Sequence, residues 1–371
     1  MELKKYRFDE VTINFDKKRV PLSGAQREKR QGKYRYYGAQ GVIDYIDDFI
    51  FDGTYLLIAE DGENLKSKKQ NIAQVVDGQF WVNNHAHIVQ GNELCDTRYL
   101  CYLLNSIDLS GYVTGSAQPK LSQANLNAVT LFLPSIFIQK KIVEYLYMFD
   151  KKIAVNQQIN DNLQQQAAAL FANFYDRAET EIGFTEIIQI LGGGTPKTGE
   201  SSYWNGSVPF FTPKDVGAPY TLTTEKTITE EGLTHCNSRL YPVNTVFVTA
   251  RGTVGKVGLP GVPMAMNQSC YALIGKDTHQ LLVYFYTLKA VDRLKHKASG
   301  AVFDAITTRD FESEIIMKLS DDDAKDFLDV AEPIYQAVLS NSIENLRLAA
   351  LRDSLLPKLI SGEIDVSDIQ I

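Results

Sequence analysis

The sequence predicts an α+β protein built twice over: two similar, mostly-β globular units separated by two long helices that form an antiparallel coiled coil. Three observations carry that prediction. Between residues 142 and 174, Ile142, Leu146, Phe149, Ile153, Leu163, Ala167, Leu170 and Phe174 keep an alternating spacing of four and three, with Asn156 and Asn160 in the two central seats. A sustained 3.5-residue period makes a narrow seam that needs a partner helix. Adding 185 to each number gives Phe327, Ala331, Ile334, Val338, Asn341, Asn345, Leu348, Arg352, Leu355 and Leu359, so the partner lies in the same chain. The same offset relates Tyr99 to Tyr284, Gly115 to Gly300, Leu121 to Ile306, Leu126 to Phe311 and Ser135 to Ser320. The chain is therefore an internal pseudo-twofold repeat of about 185 residues,.

The elements follow in order. The first globule occupies residues 1–134, the first long helix 135–177, the second globule 178–319, and the second long helix with a tail 320–371. Toward the start of each half the offset drifts, as loop insertions would make it. Residues 54–59 lie against 245–250 at 191, Asn83 and Gly91 against Asn267 and Gly275 at 184, and 32–37 against 206–211 at 174. Short β-branched and aromatic runs, such as 55–58 and 246–249, sit between turn clusters at Asp61 and Gly62, at residues 192–196, and at Arg251 and Gly252,. A helix is predicted over 97–107, with its counterpart over 281–295, and each globule closes on a strand, 129–133 and 315–319.

Ser320 reads as the N-cap of the second long helix, with Asp323 three residues on and acids at 321–323 facing the positive helix end,. Pro134 and Ser135 open the first. Pro357 should kink or stop the second helix, with Gly362 ending it,. A short connector, 177–184, leads from the first helix into the second globule. If the helices pack antiparallel, Asn156 and Asn160 fall near Asn341 and Asn345. Buried asparagines in such seats lower stability but fix register. The 33 residues from 142 to 174 span about 50 Å,.

Composition narrows the class. A chain of 371 residues with 44% hydrophobic and 22% charged residues is ordinary for a globular protein with several cores,. No apolar run approaches the roughly 18 residues of a membrane span; the best, 128–138, is broken by Pro134. The charged start does not read as a signal peptide, and four cysteines show no CxxC pairing, so a cytoplasmic protein without membrane association is expected,. The net charge of −7 is unevenly spread: residues 1–40 hold 11 Lys/Arg against 5 Asp/Glu. Basic patches on an acidic body suit a protein that grips a polyanion at chosen places, and equally suit a solvated surface.

Catalytic signatures are missing. There is no Asn/Asp-Pro-Pro-Tyr/Phe run of the kind an amino-methyltransferase carries. The stretch 194–199 is followed by Glu200 rather than lysine, and Lys256 by Val257 rather than a hydroxyl residue, so neither is a phosphate loop,. His85 and His87 share a strand face without a third metal ligand nearby, and no metal site is expected,. What remains is a ruler between two related globules. Duplex DNA has a regular repeat to match it: about 50 Å is roughly 15 base pairs. Two short read sequences around an unread spacer are the expected ligand.

Several stretches resemble the specificity subunits of type I restriction–modification systems. One is Gly193, Gly194, Thr195, Pro196 and Lys197 with Tyr203, Trp204 and residues 208–211. Another is 248–255 (Val-Thr-Ala-Arg-Gly-Thr-Val-Gly), with the similar 57–62. A third runs from Gly115 to Leu121 through Leu133, Pro134, Gln139, Ile142 and Leu146 to Asp150, and the last is 351–362. Their order and spacing around the two seams cover nearly the whole chain. The first globule departs in having Val20, Pro21 and Leu22 in place of the Gly-Gly-Thr-Pro turn. The resemblance implies a non-catalytic subunit with two target recognition domains and two spacer helices. It further implies two adenine-N6 methyltransferase subunits as partners, joined by motor–nuclease subunits in the restriction complex. S-adenosylmethionine, ATP and magnesium would belong to those partners, and no cofactor to this chain.

Phosphate and base-edge chemistry selects candidate DNA contacts. In the first globule these are Lys33, Arg35, Tyr36, Gln40, Lys66, Lys68, Lys69, Gln118 and Lys120. In the second they are Thr195, Lys197, Lys214, Arg251, Lys256, Gln268, Arg293, Lys295 and Lys297. The competing reading is a two-domain protein-interaction scaffold without a DNA role, which the overall acidity favours.

Overall fold

The computed structural model describes residues 1–67, 70–115, 118–217, 219–297 and 305–367. The chain divides into two compact units, one formed by Met1–Lys151 with Leu348–Ile371 and the other by Lys152–Arg347. Each unit takes one end of both long helices.

The first unit is built on a six-stranded sheet in the order Thr12–Asn14, Ala86–Gly91, Phe51–Ala59, Ala73–Val82, Gln31–Gly38, Gly41–Ile46. Pairing is antiparallel except between Gln31–Gly38 and Ala73–Val82. A two-stranded ribbon, Lys4–Arg7 with Thr130–Leu133, stands beside it. Asp96 caps the helix Thr97–Ser106 by accepting from the amides of Arg98 and Tyr99,. That helix buries Tyr99, Leu100, Leu103 and Leu104 against Leu56, Ile58 and Val89, and the same core takes in Ile142, Leu146 and Leu359 from the long helices.

The second unit repeats the plan. Its larger sheet runs Ile188–Gly192, Cys270–Gly275, Val246–Thr249, Val257–Pro260, Tyr220–Thr221, and a smaller one runs Lys226–Ile228, Trp204–Phe211, Ala265–Met266. The helix Gln280–Lys297 matches Thr97–Ser106. The stretch read from sequence as a connector contains a strand instead: Thr180–Gly183 pairs with Ile315–Lys318, as Lys4–Arg7 pairs with Thr130–Leu133.

The hydrogen bonds correct one alignment. Ala59 faces Ala86, and Thr249 faces Cys270. The amide of Glu60 donates to His85 O at 2.9 Å, and that of Ala250 to Ser269 O at 2.8 Å. The central strands therefore match at 190 (249 − 59), not 191, and Arg251 corresponds to Asp61. Sequence could not reveal the slip because both strands are buried on both faces, Leu56 to Ala59 and Val246 to Thr249 alike. A strand with no polar alternation carries no mark of its register.

The long helices, Ile136–Asp176 and Asp321–Ser361, have 41 residues each, about 60 Å of helix,. Ser320 caps the second, its Oγ accepting from the Asp323 amide at 3.1 Å. Pro357 does not end this helix, which runs through it and through Pro333 to Ser361, where Gly362 at φ +79° closes it,. Both prolines are exposed, as are Asp329 and Asp353, so water can bond the carbonyls left without a donor,.

In the second unit the seam packs Phe171 on Phe285 (centroids 4.9 Å) and edge-on to Phe327 (5.4 Å). Asn156 Nδ2 donates to Asn345 Oδ1 at 2.9 Å, and Asn341 Nδ2 donates to Asn160 Oδ1 at 2.8 Å. The 185-residue repeat carries the first bond onto the second, donor onto donor. Asn156 is 1% exposed, and its Oδ1 is buried without a partner. Polar seats of this kind specify register at a cost in stability. In the first unit, the seam seat at Arg352 is an ion pair with Asp150, to which the Tyr102 hydroxyl also donates.

Replacing both members of one pair, Asn156→Leu with Asn345→Leu, should raise the melting temperature by about 2–4 °C. Differential scanning calorimetry checks it, and a lowered midpoint would contradict the account of these seats.

Candidate nucleic-acid interface

In the second unit, glycines bring four loops together at one sheet edge. A Cβ on Gly193 would lie 2.0 Å from Asn267 O, and one on Gly194 2.5 Å from Asn237 N, so only glycine fits this turn. The close approach sets Thr195 beside Gln268, to whose amide oxygen its hydroxyl donates. Arg251 stands next to them, its amide bonded to Ser269 O at 3.3 Å. Gly252 turns the chain at φ +83°, and Thr253 Oγ1 then donates to Pro213 O at 3.2 Å, which draws in the loop of Lys214. Gly255, at φ +73°, lies under Lys295 from the end of the helix. Thr195, Lys214, Arg251, Lys256, Gln268 and Lys295 thus share one joined surface. Lys197 extends it toward Trp204, whose Nε1 donates to Lys197 O at 3.1 Å.

Among the described residues, Lys197, Lys214, Arg251 and Lys256 are exposed and have no carboxylate partner. Most other arginines of the chain are paired: Arg19, Arg27, Arg30, Arg98 and Arg352 each meet an acid. Uncompensated cations gathered on glycine-shaped loops are what a phosphate backbone requires.

Two of the selected cations do not belong to this surface. Arg293 and Lys297 both pair with Glu314, which is 1% exposed. Arg293 also donates to Ile315 O at 2.6 Å and to the Tyr175 hydroxyl at 3.3 Å. A buried carboxylate must be paired, so these two cations are committed to Glu314,.

The first unit presents a different set at the matching edge. Gln40 Nε2 donates to Asn64 Oδ1 at 3.2 Å, Lys66 Nζ to Gly115 O at 2.9 Å, and Lys120 pairs with Glu60 at 3.3 Å; Gln118 is exposed beside them. Lys33 and Arg35 lie farther back along the strand, about 17 Å and about 10 Å from its Gly38 end,. Tyr36 is not a surface residue at all: it is 1% exposed, and its hydroxyl accepts from Leu22 N at 2.8 Å. Alternation along Gln31–Gly38 is broken at its end, where Tyr36, Tyr37 and Gly38 are all buried. Lys68 and Lys69 lie outside the described residues.

Behind this edge sits a charged network that sequence reasoning missed. His87 Nδ1 is 2.6 Å from Asp16 Oδ2, and its Nε2 is 2.8 Å from Leu121 O. Arg19 joins Asp16, Glu60 at 3.0 Å and Ala86 O at 2.8 Å. The network ties together the loops of residues 16–19, 60–62, 84–87 and 120–121. Burial alone would lower the His87 pKa, but the Asp16 bond, the Leu121 carbonyl and the charges of Asp16 and Glu60 raise it above the usual value. Burial alone would raise that of Asp16, yet His87, the Ile88 amide and Arg19 hold it below the carboxylate range. The two histidines read from sequence as sharing a strand face are thus divided: His87 is buried with both ring nitrogens against acceptors, and His85 faces outward.

Two mostly-β units of one design, each with polar loops gathered at a sheet edge, define a duplicated binding protein. The sequence profile of the type I restriction modification DNA specificity domain matches residues 2–165 and again 180–318. The chain belongs to that family, whose role is DNA recognition. The HindI specificity subunit of Haemophilus influenzae is 24% identical, over 88% of this chain and 87% of that one. A putative specificity subunit of the same organism, S.HindORF215P, is 33% identical over 37% of this chain, which is 35% of the relative's length. The EcoR124I/EcoR124II specificity subunit of Escherichia coli is 28% identical over 51% of this chain and 50% of that one. The solved type I system S subunit of M. genitalium shares the fold with a TM-score of 0.58 and 14% identity, over 97% and 96% of the two chains. Among the described residues no helix is long and apolar enough to cross a membrane.

The network makes a pH prediction. His87, with its folded pKa raised, contributes stability that is complete below about pH 6.5 and is lost as pH rises through the folded value. Asp16, with its pKa lowered, contributes above about pH 4 and loses that contribution as pH falls through its folded value. The first unit should therefore be more stable to urea at pH 6 than at pH 9, read by Trp81 fluorescence in a Trp204→Phe background. His87→Gln should remove that slope and lower stability by about 3 kcal/mol. An unchanged slope would contradict the assignment.

Proposed function

We propose that this chain is the DNA-reading subunit of a type I restriction–modification complex, with one half-site read by each recognition unit. The observation that carries the reading is the free-cation surface around Arg251, Lys214 and Lys256, set on glycine-shaped loops of a duplicated specificity domain. In this reading the two long helices set the length of the unread spacer, and the four seam asparagines hold their register. The chain itself performs no chemistry. Two adenine-N6 methyltransferase subunits dock on it, and motor–nuclease subunits join them in the restriction-competent complex. S-adenosylmethionine, ATP and magnesium are bound by those partners. The complex works in the cytoplasm on double-stranded DNA.

The residues proposed to meet DNA are Thr195, Lys197, Lys214, Arg251, Lys256, Gln268 and Lys295 in the second unit. In the first they are Lys33, Arg35, Gln40, Lys66, Gln118 and Lys120. An exposed guanidinium without a carboxylate partner is the group best suited to a base edge, so Arg251→Ala should weaken cognate binding by about tenfold and relax one position of the second half-site,. Lys214→Ala should weaken all sequences about equally and flatten the salt dependence by about one counterion. Equilibrium titration of the methyltransferase-bound chain on cognate and scrambled duplexes reads both. Salt-insensitive binding would favour a scaffold without a DNA role.

The spacer claim has its own test. Removing one heptad from each long helix at matching seats shortens the pair by about 10 Å, or about three base pairs. Methylation of duplexes with graded spacers should then peak at a spacer about three base pairs shorter. An unchanged optimum would separate spacer length from the helices.

A further inference from the structure

We propose that His85 is a DNA-contacting residue of the first unit and that Asp61 positions it. The inference rests on the DNA-recognition reading above. The backbone makes Asp61 the counterpart of Arg251: Asp61 bridges to Lys120 as Arg251 bridges to Ala305. His85 is likewise the counterpart of Ser269, its carbonyl accepting from Glu60 N as that of Ser269 accepts from Ala250 N. At the corner where the second unit offers a guanidinium, the first offers a carboxylate and an imidazole.

A lone carboxylate in that position would repel a phosphate backbone. Asp61 is not alone, because its Oδ2 lies 2.8 Å from His85 Nδ1. The His85 side chain is 53% exposed and that of Asp61 23%, so the ring is the outer member of the pair and the carboxylate the inner one. The ring's base is pinned as well, since the His85 amide donates to Asn83 Oδ1 at 2.8 Å. The turn carrying Asp61 is held by Gly62, at φ +132°, whose amide donates to Pro119 O at 3.3 Å.

With Nδ1 engaged, Nε2 is left for a ligand, and among the described residues it has no partner. A protonated ring, facing Asp61 through Nδ1–H, donates from Nε2–H,. Around it, Arg19 and Lys120 offset Glu60, and Lys66 adds a further positive charge, so the corner tolerates an anion. The ligand is a hydrogen-bond acceptor on duplex DNA, either a phosphate oxygen or the N7/O6 edge of guanine. A ring oriented in advance loses little freedom on binding. His87 cannot share this role, because it is buried with both ring nitrogens occupied.

The test uses the full chain with its methyltransferase subunits, titrated at several salt concentrations onto a cognate duplex and a scrambled one. His85→Ala should weaken cognate binding about tenfold. Asp61→Ala should match it, the double variant should be no worse than either, and Asp61→Asn, whose amide oxygen still accepts from Nδ1–H, should retain most of the affinity. A loss equal on both duplexes, with a salt slope shallower by about one, identifies a phosphate contact; a loss confined to one cognate base pair identifies a base edge. His85→Gln, with an unchanged melting temperature, guards against misfolding. Unchanged binding by both His85 variants overturns the proposal and leaves DNA recognition standing. Absence of specific binding by the unsubstituted complex overturns the underlying reading instead.

Discussion

A seam with a 3.5-residue period and polar residues in its middle seats has one register that satisfies it, and much of this protein depends on that. The four asparagines meet as two bonds related by the internal repeat, Asn156 to Asn345 and Asn341 to Asn160. Sliding either helix by one seat would leave one asparagine pair facing and set the other two amides against hydrocarbon neighbours, Ile153 and Val338 or Leu163 and Leu348, where each unmade bond costs about 1–3 kcal/mol,. The unpartnered Asn156 Oδ1 shows that the arrangement is not the most stable available, only the most particular. Aromatic packing of Phe171 with Phe285 and Phe327 supplies the apolar stabilisation beside it.

The duplication has kept backbone geometry and let chemistry diverge. Asn83 and Asn267 each accept a bond from the amide two residues on, and Gly91 and Gly275 each admit a carbonyl that a Cβ would strike at 1.9 Å. On those shared corners the side chains differ: Arg251 against Asp61, Gln268 against Asn84, Ser269 against His85. A scaffold held by main-chain bonds tolerates such exchange, because the loop conformation does not depend on what the loop presents. The first unit needs the buried His87–Asp16 pair and Arg19 to hold its loops, whereas the second relies on close glycine packing.

The seam and the repeat were legible because they are periodic, and periodicity survives without knowledge of contacts. Turn positions such as Gly193, Gly252 and Gly362 were legible for the same reason that they are glycines. The one-residue slip between residues 54–59 and 245–250 was not, since strands buried on both faces have no alternation to align. Pro357 misled because a helix tolerates proline where the orphaned carbonyl can reach water. Tyr36, Arg293 and Lys297 misled because residue type states what a side chain can do, and only the fold states whether it is buried, as Tyr36 is, or tied to a buried carboxylate, as Arg293 and Lys297 are. Nothing local to Asp16, Arg19 and His87 announced an ion network spanning more than 70 residues of sequence.

The central claim is that two reading units share one spacer. Mapping N6-methyladenine across a genome in which this chain is expressed with its methyltransferase partner tests it most directly. The account predicts one bipartite motif, two short specified half-sites separated by an unspecified spacer of constant length. A single continuous motif, a variable spacer, or methylation independent of this chain would contradict it.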